Sequence, residues 1–198
     1  MLRNPMAVQS WGQGGTRRLL LRSVVALPWL SAMGSGAAWA ARPARIVSLG
    51  GALTEVVYLL GAQGQLVGTD TTSLFPEAAL KTAKVGYMRQ LSAEGLLSLK
   101  PDAVVGTTEA GPPVVLDQVR SAGVRVELVQ ADHTWDEVRR KVATVGRVAG
   151  REREAQALQA DLDAQWAAVQ KQVTATTRRP RAIFILSHGG SPMVAGTG

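Results

Sequence analysis

The strongest constraint on how this chain folds is a regular alternation of short apolar runs with helix-like segments that begins at Arg45. The apolar runs are rich in β-branched residues, as buried strands are, and they span 46–49, 66–69, 103–105 and 124–129. Helical patterns, each followed closely by Gly or Pro, lie between these runs at 53–60, 92–99 and 113–122. Strands that alternate with helices pair in parallel, through right-handed crossovers, and carry helices on both faces. The sequence therefore predicts an α/β lobe with a Rossmann-like parallel sheet over residues 41–150.

A long helical pattern follows this lobe. Thr134 and Glu137 have the spacing of a capping box, which predicts a helix that starts there and runs to about Ala149. Farther along, apolar residues recur at steps of 4, 4, 3 and 4 and mark one helix face: Leu158, Leu162, Trp166, Val169 and Val173. A helix from about Arg151 to Ala175 spans roughly 37 Å, which is enough to link two lobes. We therefore expect an inter-lobe helix over residues 151–177.

The segment after the long helix has the pattern of a further strand and a turn. Segment 182–186 has the composition of one more buried strand, and Ser187-His188-Gly189-Gly190 follows it. A single strand has no sheet to pair with unless it joins the first one. Residues 178–198 are therefore expected to be the beginning of an incomplete C-terminal α/β lobe.

Residues 1–40 have the features of an export signal. Arg17 and Arg18 precede an apolar stretch at 19–33, and Ala38-Trp39-Ala40 offers the small residues that a signal peptidase reads. This pattern predicts export by the Sec or Tat route, cleavage after about Ala40 and a periplasmic mature protein. The alternative is an N-terminal membrane anchor, but the stretch is interrupted by Arg22 and is shorter than the ~20 residues that a spanning helix needs. We expect no stable membrane insertion of the mature chain.

The formal net charge of +7 does not indicate a nucleic-acid partner. Four of the 22 basic residues lie in the export signal, which contains no acidic residue, so 18 basic residues remain against 15 acidic ones. The rest of the chain shows no dense basic stripe of the kind that phosphate-backbone binding needs. The chain also has no Cys, so we expect no disulfide and no lipid anchor attached to an N-terminal Cys.

Candidate ligand-binding residues lie where loops leave the carboxyl ends of strands, because open parallel sheets bind ligands there. Loop 70–91 is unusually long for a connection without function, and it carries Tyr87 and Arg89, while His188 follows the fifth predicted strand. Tyrosinate suits ferric iron, imidazole is a good axial ligand, and Arg can hydrogen-bond a phenolate or a propionate. From the residues alone two alternatives stay open: Tyr87 as an aromatic side chain pinned to the surface, and His188 as a hydrogen-bonded histidine at a strand end.

Four motifs carry a family resemblance: RIVSLGGALTE at 45–55, VGYMR at 85–89, LSAEGLLSLKPD at 91–102 and LSHGG at 186–190. With them, the chain from Arg45 to Gly196 resembles the periplasmic haem-binding proteins of ABC haem importers, the HmuT-type branch of the class III substrate-binding proteins. The first and third motifs are shared by class III binders generally, whereas the second and fourth are more specific to haem. The resemblance implies a class III fold, ferric haem as the transported ligand, and an ABC transporter permease in the inner membrane as partner.

The resemblance also implies roles for single residues. Tyr87 is the expected axial ligand of the haem iron, Arg89 its hydrogen-bonding or propionate-pairing neighbour, and His188 a second axial ligand from the other lobe. Glu94 matches the position at which the first lobe docks onto an arginine of the permease. The expected haem contacts are completed by Met88, Gly189 and Gly190.

Two other functions remain as alternatives. The same scaffold could carry cobalamin or a ferric siderophore, since such binders need no particular ligating Tyr. A dinucleotide-binding enzyme is suggested by Gly50-Gly51 after a strand and by Asp70 at the end of the next one, but Ala52 and Glu55 stand where its fingerprint needs glycines. No catalytic triad, paired-acid site or CxxC motif is present in the sequence, so we do not expect an enzyme.

Three further residues read as structural. Tyr58 lies on the apolar stripe of segment 53–60, which predicts that it belongs to the core. Glu55 is expected at a helix start, where a carboxylate is favoured by the helix dipole. His133 directly precedes Thr134 and is expected to be a helix-start residue rather than a ligand.

Overall fold

The computed structural model describes residues 44–177, 181, 183–188 and 191–195, with the backbone alone for 184–188 and 191–195. The export signal expected at 1–40, and Gly189 and Gly190, lie outside the described residues. Within the described ranges, no helix is both long enough and apolar enough to cross a membrane.

Four parallel strands form the sheet of the lobe. They are β1 (Ile46–Ser48), β2 (Leu66–Thr69), β3 (Ala103–Thr107) and β4 (Arg125–Val129), in the spatial order β2-β1-β3-β4. In register, Ile46 pairs with Leu66 on one side and with Ala103 on the other. The central strands β1 and β3 are buried throughout, as expected for strands covered on both faces. The predicted α/β parallel sheet is confirmed.

Helices cover both faces because alternate residues of the central strands point to opposite sides. Helices α1 (Gly51–Leu59) and α4 (Trp135–Ala149) cover the face of Ile46 and Val105, in a core that includes Leu53, Val57, Val142 and Val145. Helices α2 (Ala93–Ser98) and α3 (Pro113–Ser121) cover the face of Val47 and Val104, in a core that includes Leu96, Leu116 and Val119. The loops between strands and helices are therefore held on a rigid, two-sided core.

The start of α4 contains only one of the two hydrogen bonds that define the predicted capping box. The Thr134 hydroxyl accepts a hydrogen bond from the backbone N–H of Glu137, as expected. The Glu137 carboxylate, however, accepts from the backbone N–H groups of Asp132 (2.8 Å) and His133 (2.6 Å) rather than from that of Thr134. The carboxylate therefore orders the whole turn that leads from β4 into α4.

Helix α5 (Glu152–Ala175) confirms the predicted long helix, and it buries side chains against α4 only along its first half. Ala155 is buried and Leu158 and Leu162 are partly buried, whereas the side chains after residue 163 are exposed. Where the two helices part, the rings of Trp135 and Trp166 stack with centroids 4.8 Å apart and planes 6° apart. The role of α5 as a link between lobes stays a prediction.

The expectation of a lone strand after α5 was wrong. Strand β5 (Phe184–His188) pairs antiparallel with β6 (Ser191–Ala195), and His188 lies opposite Ser191. Only two residues separate the strands, and Gly-Gly is a strong signal for a two-residue hairpin loop. Among the described strands, this pair forms a sheet of its own. Whether it begins a second lobe stays a prediction.

Two smaller expectations were also wrong. Tyr58 is half-buried rather than part of the core, in keeping with the tendency of Tyr to bury its ring and keep its hydroxyl near water. Helix α1 begins at Gly51, so Glu55 lies in its second turn and not at its start.

Candidate functional site

The loops that leave the strand ends meet around a cleft of about 190 Å³ at the carboxyl edge of the sheet. The walls come from the β1–α1 turn, loop 70–91, the end of β3 and the start of α4. The bordering residues are 49–53, Thr72, Met88, Thr107, Glu109, His133, Glu137 and Lys141. A slightly larger cavity of about 220 Å³ is bordered by residues of α4 and α5 and by none of the loops at the strand ends, where ligands of such sheets bind.

Asp70 ties loop 70–91 to the start of α1. Its buried carboxylate accepts hydrogen bonds from the backbone N–H of Gly50 (2.9 Å) and the hydroxyl of Ser73 (2.7 Å) through Oδ1. Through Oδ2 it accepts from the backbone N–H (3.0 Å) and the hydroxyl (2.6 Å) of Thr72. With both oxygens engaged, Asp70 has no capacity left for a ribose, which argues against the dinucleotide alternative.

Lys84 braces the same loop from within. Its ammonium group donates to the Thr69 hydroxyl (2.8 Å) and to the backbone carbonyls of Ser73 (3.0 Å) and Ala79 (3.2 Å). The loop also contains a short 3₁₀ helix at Glu77–Lys81, and Thr69 forms a β-bridge with Lys84. Loop 70–91 is thus an ordered structure, although the sequence shows no regular pattern there.

Tyr87 lies on the far end of this braced loop and is 41% exposed. Its backbone carbonyl accepts a hydrogen bond from the backbone N–H of Gln90 (2.8 Å). The carbonyl of Met88 accepts one from the backbone N–H of Gly111 (2.9 Å). The Met88 sulfur lies beside Gly50, 3.8 Å from where a Cβ on that glycine would stand. The chain around Tyr87 is therefore fixed against the β1–α1 turn and the β3–α3 loop, while Tyr87 itself stays exposed.

Arg89 has a partner that the sequence did not suggest. Its guanidinium Nη2 lies 2.7 Å from Oε1 of Glu109, and both side chains are substantially exposed. A guanidinium has five N–H donors, so this ion pair leaves donors free for a further acceptor. The spacing of 20 residues hides the pair in the sequence.

Glu137 and Lys141 form a second ion pair at the cleft, 2.6 Å apart and mostly shielded from solvent. The hydrogen bond from Lys141, together with those from the backbone of His133 and Asp132, holds the pKa of Glu137 below its ordinary value. His133 adopts the left-handed conformation with φ of 57° and is exposed at the border of the cleft. It therefore occupies the predicted helix start and also faces the cleft.

Met88 is the one predicted ligand residue, among those described with side chains, that borders this cleft. Tyr87 and Arg89 lie on the same loop but do not border it. Glu94 is exposed in the first turn of α2, and only the backbone of His188 is described. The ligand roles of Tyr87, Met88, Arg89, His188, Gly189 and Gly190, and the docking role of Glu94, stay predictions. In the part of the chain that the structure describes, no group of three or more His, Cys, Asp and Glu side chains could hold a metal ion.

Comparison with known proteins identifies the family. The family model of periplasmic binding proteins matches residues 46–198. The chain belongs to this family. Its fold is similar to that of the periplasmic haem-binding protein BhuT solved with two haems, with a TM-score of 0.70 and 40% identity over 77% of this chain and 60% of that one. A periplasmic haem-binding protein from Pseudomonas aeruginosa gives a TM-score of 0.66 and 40% identity over 77% of this chain and 56% of that one.

Curated relatives at lower identity are also substrate-binding proteins rather than enzymes. An ABC transporter substrate-binding lipoprotein of Bacillus subtilis, YvrC, is 29% identical over 72% of this chain and 46% of its own length. A vitamin B12-binding protein of Pectobacterium carotovorum is 30% identical over 61% of this chain and 45% of its own length. The chain thus spans about half the length of these relatives. It has the class III periplasmic binding protein fold, of which one lobe is described.

Proposed function

We propose that this chain captures ferric haem in the periplasm and delivers it to the permease of an ABC importer. The placement of Tyr87 carries the proposal, because an exposed phenol on a braced loop can reach the iron of a flat macrocycle without rearrangement of the fold. Sequence similarity supports the same ligand, since identity to the two haem-binding structures described above is 40% over 77% of this chain, against 30% over 61% of it to the vitamin B12-binding relative.

In this proposal the phenolate of Tyr87 is an axial ligand of the iron. A phenolate is a hard anionic donor, which ferric iron favours, and a nearby cation stabilises it. Arg89 is the neighbour that hydrogen-bonds the phenolate or a propionate while it keeps its ion pair with Glu109. Met88 contributes an apolar contact, and His188 acts as a second axial ligand, with Gly189 and Gly190 beside it.

Export of the chain and delivery of haem to the permease are part of the same proposal. Residues 1–40 act as a signal peptide that is removed after about Ala40, so that the mature chain meets haem outside the inner membrane. The exposed carboxylate of Glu94, at the positive end of α2, docks onto an arginine of the permease. Glu94 lies on α2 and not on loop 70–91, which carries Tyr87 and Arg89, so in this proposal ligand capture and permease docking use different groups.

A hemin titration of the full chain tests the haem assignment, with Tyr58 as the matched control because the chain has only two tyrosines. The wild type should develop a tyrosinate-to-iron charge-transfer band, and Tyr87→Phe should remove it, because the variant loses only the ligating oxygen. Tyr58→Phe should keep the band. An unchanged spectrum in Tyr87→Phe would reject this phenol as the ligand.

Cobalamin is the second candidate, and the vitamin B12-binding relatives are the observation that favours it. Cyanocobalamin brings its own axial cobalt ligands, the tethered dimethylbenzimidazole and cyanide, so its binding does not need the oxygen of Tyr87. The same titration with cyanocobalamin separates the two ligands. Binding of cyanocobalamin without binding of hemin would replace the haem assignment.

A further inference from the structure

The amino end of α1 opens into the cleft without a cap. The first backbone N–H groups of a helix have no acceptor within it, and here they belong to Gly51, Ala52 and Leu53. Among the described residues, no side chain caps this end, since Gly50 occupies the cap position. These donors and the positive end of the helix dipole favour an anion.

A second, independent feature of the same cleft points to a ligand. Thr107, at the end of β3, is 7% exposed, and its hydroxyl has no hydrogen-bond partner in the described part of the chain. Thr107 borders the cleft together with Gly51, Ala52 and Leu53. A buried hydroxyl without a partner destabilises the protein, so a ligand oxygen that satisfies it would gain affinity.

The charged groups around the cleft leave room for a negative ligand. Both bordering carboxylates are already compensated: Glu109 by Arg89 at 2.7 Å, and Glu137 by Lys141 at 2.6 Å. The only other titratable side chain that borders the cleft in the described residues is that of His133, which is not an acid. An anion in the cleft would therefore meet no unpaired carboxylate among the described residues that border it. The buried carboxylate of Asp70, which binds the N–H of Gly50 at the same helix start, does not border the cleft and already accepts four hydrogen bonds.

We infer that the backbone N–H groups of Gly51, Ala52 and Leu53 and the hydroxyl of Thr107 form a subsite for one carboxylate group of the ligand. The cleft volume of about 190 Å³ lies below the ~300 Å³ at which pockets begin to enclose whole small molecules, so it suits a side arm and not a macrocycle. This inference rests on the proposed function, in which the arm is a propionate of haem. Met88, whose sulfur lies beside Gly50, joins the subsite to the loop that carries Tyr87.

The test compares hemin with its dimethyl ester, which has the same macrocycle but no free carboxylate. Thr107→Val should weaken hemin binding by about tenfold, because a hydrogen bond to a charged group is lost, and should leave the affinity for the ester unchanged. Thr144→Val is the matched control, since Thr144 is also buried but does not border the cleft. The melting temperature of the ligand-free Thr107→Val protein should not fall, because its hydroxyl has no partner to lose. Equal effects on hemin and ester, or none on hemin, would overturn the subsite.

A second measurement tests the subsite without haem. Titration of the full chain with sodium propionate should shift the backbone amide NMR signals of Gly51, Ala52 and Leu53 in the wild type, and less in Thr107→Val. If hemin does not bind but these shifts appear, the haem assignment fails and the carboxylate subsite stands. If hemin binds but propionate shifts none of the three signals and the ester binds as well as hemin, the subsite fails and the haem assignment stands.

Discussion

Replacement of Asp70 by Asn should destabilise the lobe by about 3 kcal/mol. The carboxylate is fully buried and accepts four hydrogen bonds, two on each oxygen. In Asn one oxygen becomes an amino group, so either the donors of Thr72 or those of Gly50 and Ser73 lose their acceptor. A hydroxyl can rotate and accept instead, but a backbone N–H cannot. Each buried donor left unsatisfied costs about 1–3 kcal/mol, and the lost charge weakens the bonds that remain.

Urea denaturation and thermal denaturation of the ligand-free chain, each followed by circular dichroism, measure this change. At about 2–4 °C per kcal/mol for a domain of this size, the melting temperature should fall by roughly 6–12 °C. Asp117→Asn is the control, because Asp117 forms only an exposed ion pair with Arg120 and its loss should change stability by less than about 1 kcal/mol. If Asp70→Asn unfolded within about 0.5 kcal/mol of the wild type, the carboxylate would not be what holds loop 70–91.

Two further predictions concern the helices. The lowered pKa of Glu137 means that its ion pair with Lys141 contributes stability that is fully present above the ordinary Glu pKa of 4.5 and is lost as the pH falls through the lower folded value. In Glu137→Gln, the free energy of unfolding should therefore fall less steeply as the pH is lowered. A dependence on pH as steep as that of the wild type would contradict this. Trp166→Ala should destabilise the contact of α5 with α4 by about 1–2 kcal/mol through loss of the stack on Trp135, visible as faster amide hydrogen exchange in α5. Val173→Ala, at a 67% exposed position, should leave the amide hydrogen exchange of α5 unchanged. Equal exchange rates in the two variants would show that the stack does not hold α5 on α4.

The order of strands and helices in the lobe could be predicted because each element carries its own local signal. Val47 and Val104 lie in short β-branched runs, and Gly150 ends α4 in the left-handed conformation that glycine favours. Strand β6 was missed for a local reason as well. Pro192 weakens a strand pattern, so the segment after His188 gave no clear signal for a further strand.

The candidate site was predictable only in part. Tyr87 and Arg89 stand out as unusual residue types on a long loop, but the partners that position them are distant in sequence. Asp70 reaches Gly50 across 20 residues, and Glu109 reaches Arg89 across the same separation. Thr107 gave no signal at all, because its unpartnered hydroxyl becomes apparent only when the strands are assembled. Such contacts depend on which loops the sheet order brings together, and no local pattern records them.

The bracing of loop 70–91 by Asp70 and Lys84 has a kinetic consequence. A segment that must become ordered when a ligand arrives loses conformational entropy at that step, and association slows whenever a rearrangement has to come first. Here the chain on both sides of Tyr87 is already fixed by hydrogen bonds before any ligand arrives. Capture should then be governed by diffusion and by the chemistry of the incoming molecule, and differences in retention among variants should appear mainly in how fast the ligand leaves.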